Sequence, residues 1–206
     1  MENNNDLKNT YNKIAKLWNG DHIVDTWWFT GSDKFLSLLP EGASVLDVGC
    51  AGGYKTNYIK SKGFDVEGVD FSEEMIKEAK EKVPDVSFSV CDAYDLDTIN
   101  KTYDGIYCQA MLLHIPKKDI FSILEKMKNR LNIGGFLYIA VKEKRQNGVE
   151  EEIKTENDYG YEYERFFSYF TIDELKSYFN DLGMEVVYED IVSSGRANWI
   201  NLIAKK

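Results

Sequence analysis

Residues 45–53 have the sequence Val-Leu-Asp-Val-Gly-Cys-Ala-Gly-Gly, and Asp70 follows at the end of the next apolar run. The apolar residues predict a buried strand, which leads into a turn of very small residues. Glycines in such a turn let the backbone bend sharply and approach a ligand closely. An acid at the end of the second strand of a βαβ unit can accept hydrogen bonds from a ribose diol. The pattern therefore predicts a pocket for an adenosine-containing cofactor.

The bulk composition predicts one globular domain over residues 1–206, with 43% hydrophobic and 29% charged residues. A net charge of −10 disfavours a nucleic-acid partner, because such partners are generally bound by clustered Lys and Arg. The three cysteines lack metal-type spacing, so we expect no metal site. Residues 1–6 lack a basic start, and no segment reaches the ~20 apolar residues of a membrane span. We expect a cytoplasmic protein that binds a small molecule rather than nucleic acid or a membrane.

Strands and helices are predicted to alternate through the first two thirds of the chain, which is typical of a mostly parallel sheet with helices on both faces. Two further strand candidates near the end are separated by only Ser193–Arg196. So short a connection allows only an antiparallel hairpin. The predicted strands span 43–48, 64–69, 86–90, 105–109, 136–141, 185–192 and 198–204.

Two other segments are predicted to lie outside this alternation. Residues 1–40 form an N-terminal helical cap, with one helix ending near Gly20 and a second over residues 35–39. Residues 143–170 are expected to be an insertion on the substrate side, in which residues 150–152 form an exposed loop. Beyond it, Thr171 with Glu174 has the pattern of a capping box at the start of a helix.

Five short segments, in order along nearly the whole chain, resemble the motifs of class I S-adenosylmethionine-dependent methyltransferases. They are residues 45–50, 69–72, 91–93, 103–116 and 131–137. The resemblance implies an α/β, Rossmann-like fold: a seven-stranded sheet of order 3-2-1-4-5-7-6 with a C-terminal antiparallel hairpin. One departure is Ala51, which stands where the family has glycine and would be strained at a positive φ.

The resemblance also implies S-adenosylmethionine as cofactor and a set of contacts to it. Asp47, Gly49 and Ala51 would lie near its amino-acid end, and Asp70 near its ribose. The full set of expected cofactor-binding residues is Tyr11, Asp47, Gly49, Cys50, Ala51, Gly53, Asp70, Phe71, Met75, Asp92, Ala93 and Gln109. Alternatives remain open for three of them: Asp70 and Asp92 are also suited to a helix start or strand end, and Tyr11 to ordinary helix packing.

His114 is the candidate general base, because it follows the fourth strand and histidine titrates near neutrality. The alternative is that it only packs or bonds to backbone. Trp27, Trp28, Lys142 and Arg165 are the candidate substrate-binding residues, the two cations for an anionic group. Alternatively the aromatic residues pack the N-terminal helices, and Arg165 pairs with Glu162 or Glu164.

These features together predict in-line methyl transfer to a small-molecule acceptor with release of S-adenosylhomocysteine. Two alternatives are a non-catalytic module that binds S-adenosylmethionine and a nicotinamide-dependent oxidoreductase. The second is disfavoured because Ala51 and Tyr54 occupy positions where a dinucleotide-binding loop has glycine.

Overall fold

Seven strands form the central sheet of the computed structural model, which describes residues 2–22, 25–195 and 197–206. Its strands are β1 (Ser44–Val48), β2 (Asp65–Asp70), β3 (Ser87–Val90), β4 (Tyr103–Gln109), β5 (Leu131–Lys142), β8 (Glu185–Ser194) and β9 (Ala197–Lys205), and a separate hairpin contains β6 (Glu151–Glu156) and β7 (Tyr163–Ser168). The sheet order is β3-β2-β1-β4-β5-β9-β8, which becomes 3-2-1-4-5-7-6 when the hairpin strands are left uncounted. The predicted fold class is confirmed.

Parallel pairing joins the first five strands, and β9 pairs antiparallel with both β5 and β8. The carboxyl ends of β1, β2, β4 and β5 therefore lie along one edge of the sheet, where ligands bind in open α/β sheets. Each central strand is almost fully buried, as the continuous apolar runs in the sequence predict.

Helices cover both faces of this sheet. They are α1 (Glu2–His22), α2 (Phe29–Leu36), α3 (Tyr54–Ser61), α4 (Glu73–Lys82), α5 (Lys117–Asn129) and α6 (Ile172–Asp181). One buried cluster joins α2, α3 and α4 to the strands, and a second joins α5 and α6 to the opposite face. Helix α1 packs instead on α4 and β7, across the ligand-binding edge. No helix among the described residues is long and apolar enough to cross a membrane.

Two helices begin at the hydroxyl caps that the sequence indicates. The Ser72 hydroxyl accepts a hydrogen bond from the Met75 amide at 3.2 Å, and the Thr171 hydroxyl accepts one from the Glu174 amide at 3.2 Å. Such caps satisfy amide groups that have no partner within the helix. The Ser72 cap fixes the start of α4 directly after β2.

Several predicted boundaries are wrong. Helix α1 continues through Gly20 to His22, because a helix tolerates an isolated glycine at a cost of about 1 kcal/mol. The second helix is α2, and residues 37–39 form a turn after it. Strand β5 begins at Leu131 rather than after Gly134, which lies within the strand at a φ of 82°. Glu151 and Glu152 belong to β6, not to a loop.

Candidate active site

A cavity of about 930 Å³ lies at the carboxyl edge of β1, β2, β4 and β5. We call one end of it the cofactor half, lined by Asp47, Gly49, Cys50, Ala51, Lys55, Asp70, Phe71, Met75, Asp92 and Ala93. The other end is the acceptor half, lined by Trp27, Leu113, Lys142, Glu143, Lys144, Arg145, Glu152, Lys154, Arg165, Phe167, Tyr169 and Trp199. Tyr11, Gln109 and His114 also line the cavity, and each takes part in a hydrogen-bonded pair described below.

Asp70 holds the turn that follows β1. One carboxylate oxygen accepts a hydrogen bond from the Ala51 amide at 3.0 Å, and the other accepts one from the Ser72 amide at 2.9 Å. Burial raises the pKa of Asp70 to about 6, while these two backbone donors act in the opposite direction. Asp70 therefore connects the turn after β1 to the start of α4 and also lines the cavity.

Ala51 has a φ of 47°, in the left-handed region that favours glycine. For a residue with a Cβ this conformation costs roughly 1–2 kcal/mol. The strain that the sequence predicts for a positive φ at this position is therefore present. The hydrogen bond from its amide to Asp70 helps hold the residue there.

Asp47 and Lys55 place opposite charges in the cofactor half. The Thr56 hydroxyl donates to Asp47 at 2.6 Å, and burial raises the pKa of Asp47 to about 7 although Thr56 and Lys55 lower it. Burial also lowers the pKa of Lys55, and the nearby Asp47 and Asp25 raise it. Lys55 forms no ion pair with any described residue. Sequence reasoning missed Lys55, although its position directly after the small-residue turn was an available signal.

Gln109 ends β4 with an unsatisfied donor. Its side-chain oxygen accepts a hydrogen bond from the Tyr107 hydroxyl, but its Nε2 is buried and has no partner among the described residues. Trp18 also lines the cavity, and its indole Nε1 is likewise buried without a partner among the described residues. Two further buried donors without a partner among the described residues, Arg130 Nε and Asn201 Nδ2, belong to residues outside the cavity lining, so the condition is not specific to the cavity.

His114 is a neutral imidazole with one available lone pair. Its Nδ1 lies 2.7 Å from the Phe166 carbonyl oxygen, which can only accept, so Nδ1 carries the proton. Its Nε2 then accepts a hydrogen bond from the Tyr11 hydroxyl at 2.7 Å. The pKa of His114 is lowered to about 3, mainly by burial and also by Arg165 and Lys142, while the bond to the Phe166 carbonyl oxygen opposes the shift. The backbone bond that the alternative interpretation expected is therefore present, and His114 also lines the cavity.

Arg165 and Lys142 differ in their partners. Arg165 forms a two-point ion pair with Glu156, at 2.5 Å and 2.7 Å, so the alternative pairing with Glu162 or Glu164 is wrong in its partner. Its guanidinium also lies 3.4 Å from the Tyr11 hydroxyl. Lys142 has no ion pair with any described residue, and its ammonium lies 4.3 Å from the centre of the Phe167 ring.

All of the residues predicted for the site line the cavity except Gly53 and Trp28. Gly53 has a φ of 80°, and a Cβ there would lie 2.9 Å from the Phe88 ring, so this glycine serves packing. Trp28 is 1% exposed, and its Nε1 donates to the Asp25 carbonyl oxygen at 2.7 Å, so it belongs to the core. Sequence reasoning missed Lys154 and Trp199, which carry no local motif.

Residues 45–135 match the family described as a methyltransferase domain. The chain belongs to the class I S-adenosylmethionine-dependent methyltransferases. The order of five motifs, the strand order and this match agree, and the predicted cofactor, S-adenosylmethionine, is confirmed at the level of the family. The match to a methyltransferase domain counts against the alternative of a nicotinamide-dependent oxidoreductase.

Relatives of known name cover parts of this methyltransferase. A 2-methyl-6-phytyl-1,4-hydroquinone methyltransferase of Synechocystis sp. is 35% identical over 51% of this chain and 34% of its own length. A ubiquinone biosynthesis O-methyltransferase of Xanthomonas axonopodis pv. citri is 32% identical over 68% of this chain and 66% of its own length. The chain thus spans between about a third and two thirds of these two relatives.

A solved structure matches the whole chain. It is that of the Burkholderia thailandensis 1,6-didemethyltoxoflavin-N1-methyltransferase with bound 1,6-didemethyltoxoflavin and S-adenosylhomocysteine. The two structures superpose with a TM-score of 0.79 at 20% identity, over 100% of this chain and 89% of that one. At this identity the likeness concerns the fold.

Proposed function

We propose that this methyltransferase transfers a methyl group from S-adenosylmethionine to a small-molecule acceptor and releases S-adenosylhomocysteine. The observation that carries the proposal is one continuous cavity, at the sheet edge where the family motifs end, with an acidic half beside a basic half. Two relatives are named for a hydroquinone and for 1,6-didemethyltoxoflavin, which supports a small aromatic acceptor.

The charges of the cofactor half fit the cofactor's amino-acid end and ribose. Asp47 and Lys55 have the opposite signs needed for an ammonium and a carboxylate, and Asp70 is positioned to accept hydrogen bonds from a ribose diol. Phe71 and Met75 offer apolar surface for the adenine, beside Asp92. When bound, S-adenosylmethionine supplies an electrophilic methyl group on a sulfonium cation.

The unsatisfied donors of Gln109 and Trp18 are expected to acquire partners when ligands bind. A buried donor without an acceptor costs about 1–3 kcal/mol, which ligand binding would recover. Each donor would therefore contribute to affinity and would also fix orientation. For this reaction class, orientation is the main requirement, and proximity can supply roughly 7–11 kcal/mol in favourable cases.

His114 is proposed to orient the acceptor through Nε2, with the acceptor's hydrogen bond replacing the one from the Tyr11 hydroxyl. Its low pKa makes it a weak proton acceptor, because an efficient general base has a pKa near the working pH. Accepting a hydrogen bond from the acceptor's nucleophile is therefore its main expected contribution. Proton uptake would follow only as charge develops on that nucleophile.

The first test is calorimetric titration with S-adenosylhomocysteine, using NADH as the control. We expect saturable binding of S-adenosylhomocysteine alone; binding of NADH alone would contradict the proposal. The second test measures S-adenosylhomocysteine formation from S-adenosylmethionine with a panel of phenols, hydroxybenzoates and aromatic amines. Tight cofactor binding without acceptor-dependent turnover on any of them would favour the non-catalytic module.

A further inference from the structure

The two halves of the cavity carry opposite charge. In the cofactor half, three carboxylates (Asp47, Asp70 and Asp92) face one cation, Lys55. In the acceptor half, five cations (Lys142, Lys144, Arg145, Lys154 and Arg165) and two carboxylates (Glu143 and Glu152) line the cavity, and Lys144 and Arg165 also pair with Glu150 and Glu156, which are not part of the lining. The protein as a whole has a net charge of −10, so a basic wall in this cavity is not a consequence of composition.

Carboxylates of the acceptor half are bound to groups other than Lys142. Glu156 pairs with Arg165, and Glu152 accepts from the Tyr169 hydroxyl at 2.6 Å and from Lys154 at 3.2 Å. Glu143 accepts from the Asn198 amide at 2.9 Å. Lys142 therefore contributes a positive charge that no described carboxylate contacts.

The surroundings of Lys142 are aromatic and desolvating. Its ammonium lies 4.3 Å from the centre of the Phe167 ring and 5.7 Å from that of Trp199. The pKa of Lys142 is lowered to about 8, mainly by burial and also by Arg165 and Lys154, while Glu156 and Glu152 oppose the shift. An ammonium in such a position is stabilised strongly by an anionic partner, since charge-assisted hydrogen bonds are strong away from water.

The walls around this ammonium suit a flat ring. Trp27 stacks on Trp199 with ring centres 4.1 Å apart and an interplanar angle of 20°. Leu113, Phe167 and Trp199 form a buried cluster that Trp27 and Tyr169 flank. Aromatic walls favour stacking partners over aliphatic chains of the same size.

Phe167 joins the ammonium to the residues that face the methyl-transfer region. Its ring centre lies 5.0 Å from that of His114, and Lys142 lies over the same ring. Lys142 and His114 therefore both lie beside the same ring and both line the cavity.

We propose that the acceptor is an aromatic compound with a negatively charged substituent, which Lys142 binds. The inference rests on the proposed methyl-transfer function, since it assigns the acceptor half to the reacting compound. Lys142 thereby determines acceptor specificity: it holds the anionic end, and the nucleophilic end points towards His114 and the cofactor half.

The test is calorimetric titration of the S-adenosylhomocysteine-saturated protein with 4-hydroxybenzoate. This probe carries a carboxylate at one end of its ring and a nucleophilic hydroxyl at the opposite end. Its neutral counterpart, 4-hydroxybenzamide, has nearly the same shape, and cyclohexanecarboxylate keeps the charge without the aromatic ring. We expect 4-hydroxybenzoate to bind at least about ten-fold tighter than either comparison compound.

Two variants assign this preference to one side chain. Lys142→Met keeps the length and apolar stem, and we expect it to bring the benzoate and benzamide affinities within about two-fold of each other. Lys176→Met is the matched control, because it removes one positive charge at an exposed ion pair with Glu189, outside the cavity lining. It should leave the preference unchanged, and Lys142→Arg should restore part of it.

Equal affinity for benzoate and benzamide, an unchanged preference in Lys142→Met, or no binding of any probe would each overturn the inference. Equally tight cyclohexanecarboxylate would overturn its aromatic part. The same titrations on the cofactor-free protein separate it from the proposed function. If S-adenosylhomocysteine fails to bind while the Lys142-dependent preference persists, the methyl-transfer proposal fails and the anion site stands.

Discussion

The cofactor half and the acceptor half of the cavity are built in different ways. The cofactor half comes from turns that directly follow β1, β2 and β3, so its side chains sit within a few residues of buried strands. The acceptor half is assembled from Trp27 before α2, Leu113 after β4, the end of β5 with the residues that follow it, the β6–β7 hairpin and the start of β9. Its residues are far apart in sequence, and their meeting depends on long-range packing.

This difference teaches that the two halves respond differently to substitution. In the cofactor half, a carboxylate such as Asp70 binds the backbone of its own wall as well as facing the ligand. In the acceptor half, charged side chains such as Lys142 stand on an aromatic wall without holding the backbone. Substitutions in the cofactor half should therefore alter both the turn after β1 and the affinity for the cofactor. Substitutions in the acceptor half should mainly alter which acceptor is preferred.

The largest expected effect separates two neighbouring tryptophans. Trp28→Ala should lower the free energy of unfolding by about 3–5 kcal/mol, because the side chain is 1% exposed and packs on Tyr54 and Tyr58. Trp27→Ala, in the wall of the acceptor half, should cost about 1 kcal/mol or less. Denaturant unfolding of both variants measures this. Similar losses would mean that Trp27 also belongs to the core.

Asp70→Asn tests the dual role of the cofactor-half carboxylate. We expect S-adenosylhomocysteine affinity to fall about 100-fold, or about 2.8 kcal/mol, since the change weakens charge-assisted bonds to the Ala51 and Ser72 amides and to ribose. Asp65→Asn, at the exposed start of the same strand, is the control. Calorimetry that finds equal affinities in the two variants would contradict the assigned role.

Because His114 is neutral in the folded protein, we expect its contribution to the free energy of unfolding to depend on pH. With a folded pKa of about 3 and an unfolded value near 6.5, the unfolded chain binds more protons at this residue between those values. Its stabilising contribution is thus full above pH 6.5 and is lost as the pH falls. The free energy of unfolding of the wild type minus that of His114→Gln should therefore be about 1–2 kcal/mol smaller at pH 5 than at pH 6.5.

Comparison with the variant is needed because Asp47 and Asp70 act in the opposite direction. Their raised pKa values, about 7 and about 6, mean that the folded chain binds protons there before the unfolded chain does. Acidification through that range therefore stabilises the fold at these two residues. A wild-type-minus-variant difference that is independent of pH would show that His114 titrates normally.

The smallest expected effect concerns the strained alanine of the turn. Ala51→Gly relieves a left-handed conformation but also increases the entropy of the unfolded chain, so the free energy of unfolding should change by less than about 0.5 kcal/mol. Affinity for S-adenosylhomocysteine should stay within about two-fold of the original. An increase of ten-fold or more would show that strain at Ala51 opposes cofactor binding.

Prediction from the sequence placed residues at the cavity where their position depends on local order. Asp47 and Asp70 could be placed because each lies at the carboxyl end of a buried parallel strand, and such ends converge at one edge. His114 and Gln109 were found in the same way, after β4. Trp28 was assigned to the wrong environment because sequence spacing cannot show which of two adjacent aromatic side chains faces the core.

The remaining errors have long-range causes. Strand β6 has acidic residues that resemble a loop, and it becomes a strand through pairing with β7. Trp199 reaches the cavity because β9 pairs with β5 opposite Lys142, and Lys154 reaches it through the β6–β7 hairpin. Gly134 stays within β5 because a register shift between Tyr103 and Gly105 accommodates it.

Among the described residues, the β6–β7 hairpin pairs with no strand of the central sheet, and a single bridge between Glu143 and Phe170 lies at its base. Yet it supplies Glu152, Lys154, Arg165 and Phe167 to the acceptor half. It is held there by α1 and by the hydrogen bond from His114 to the Phe166 carbonyl oxygen. Evolution or an engineer can therefore vary its cavity-facing residues to change which compound is recognised, while the pairing of the parallel strands stays unchanged.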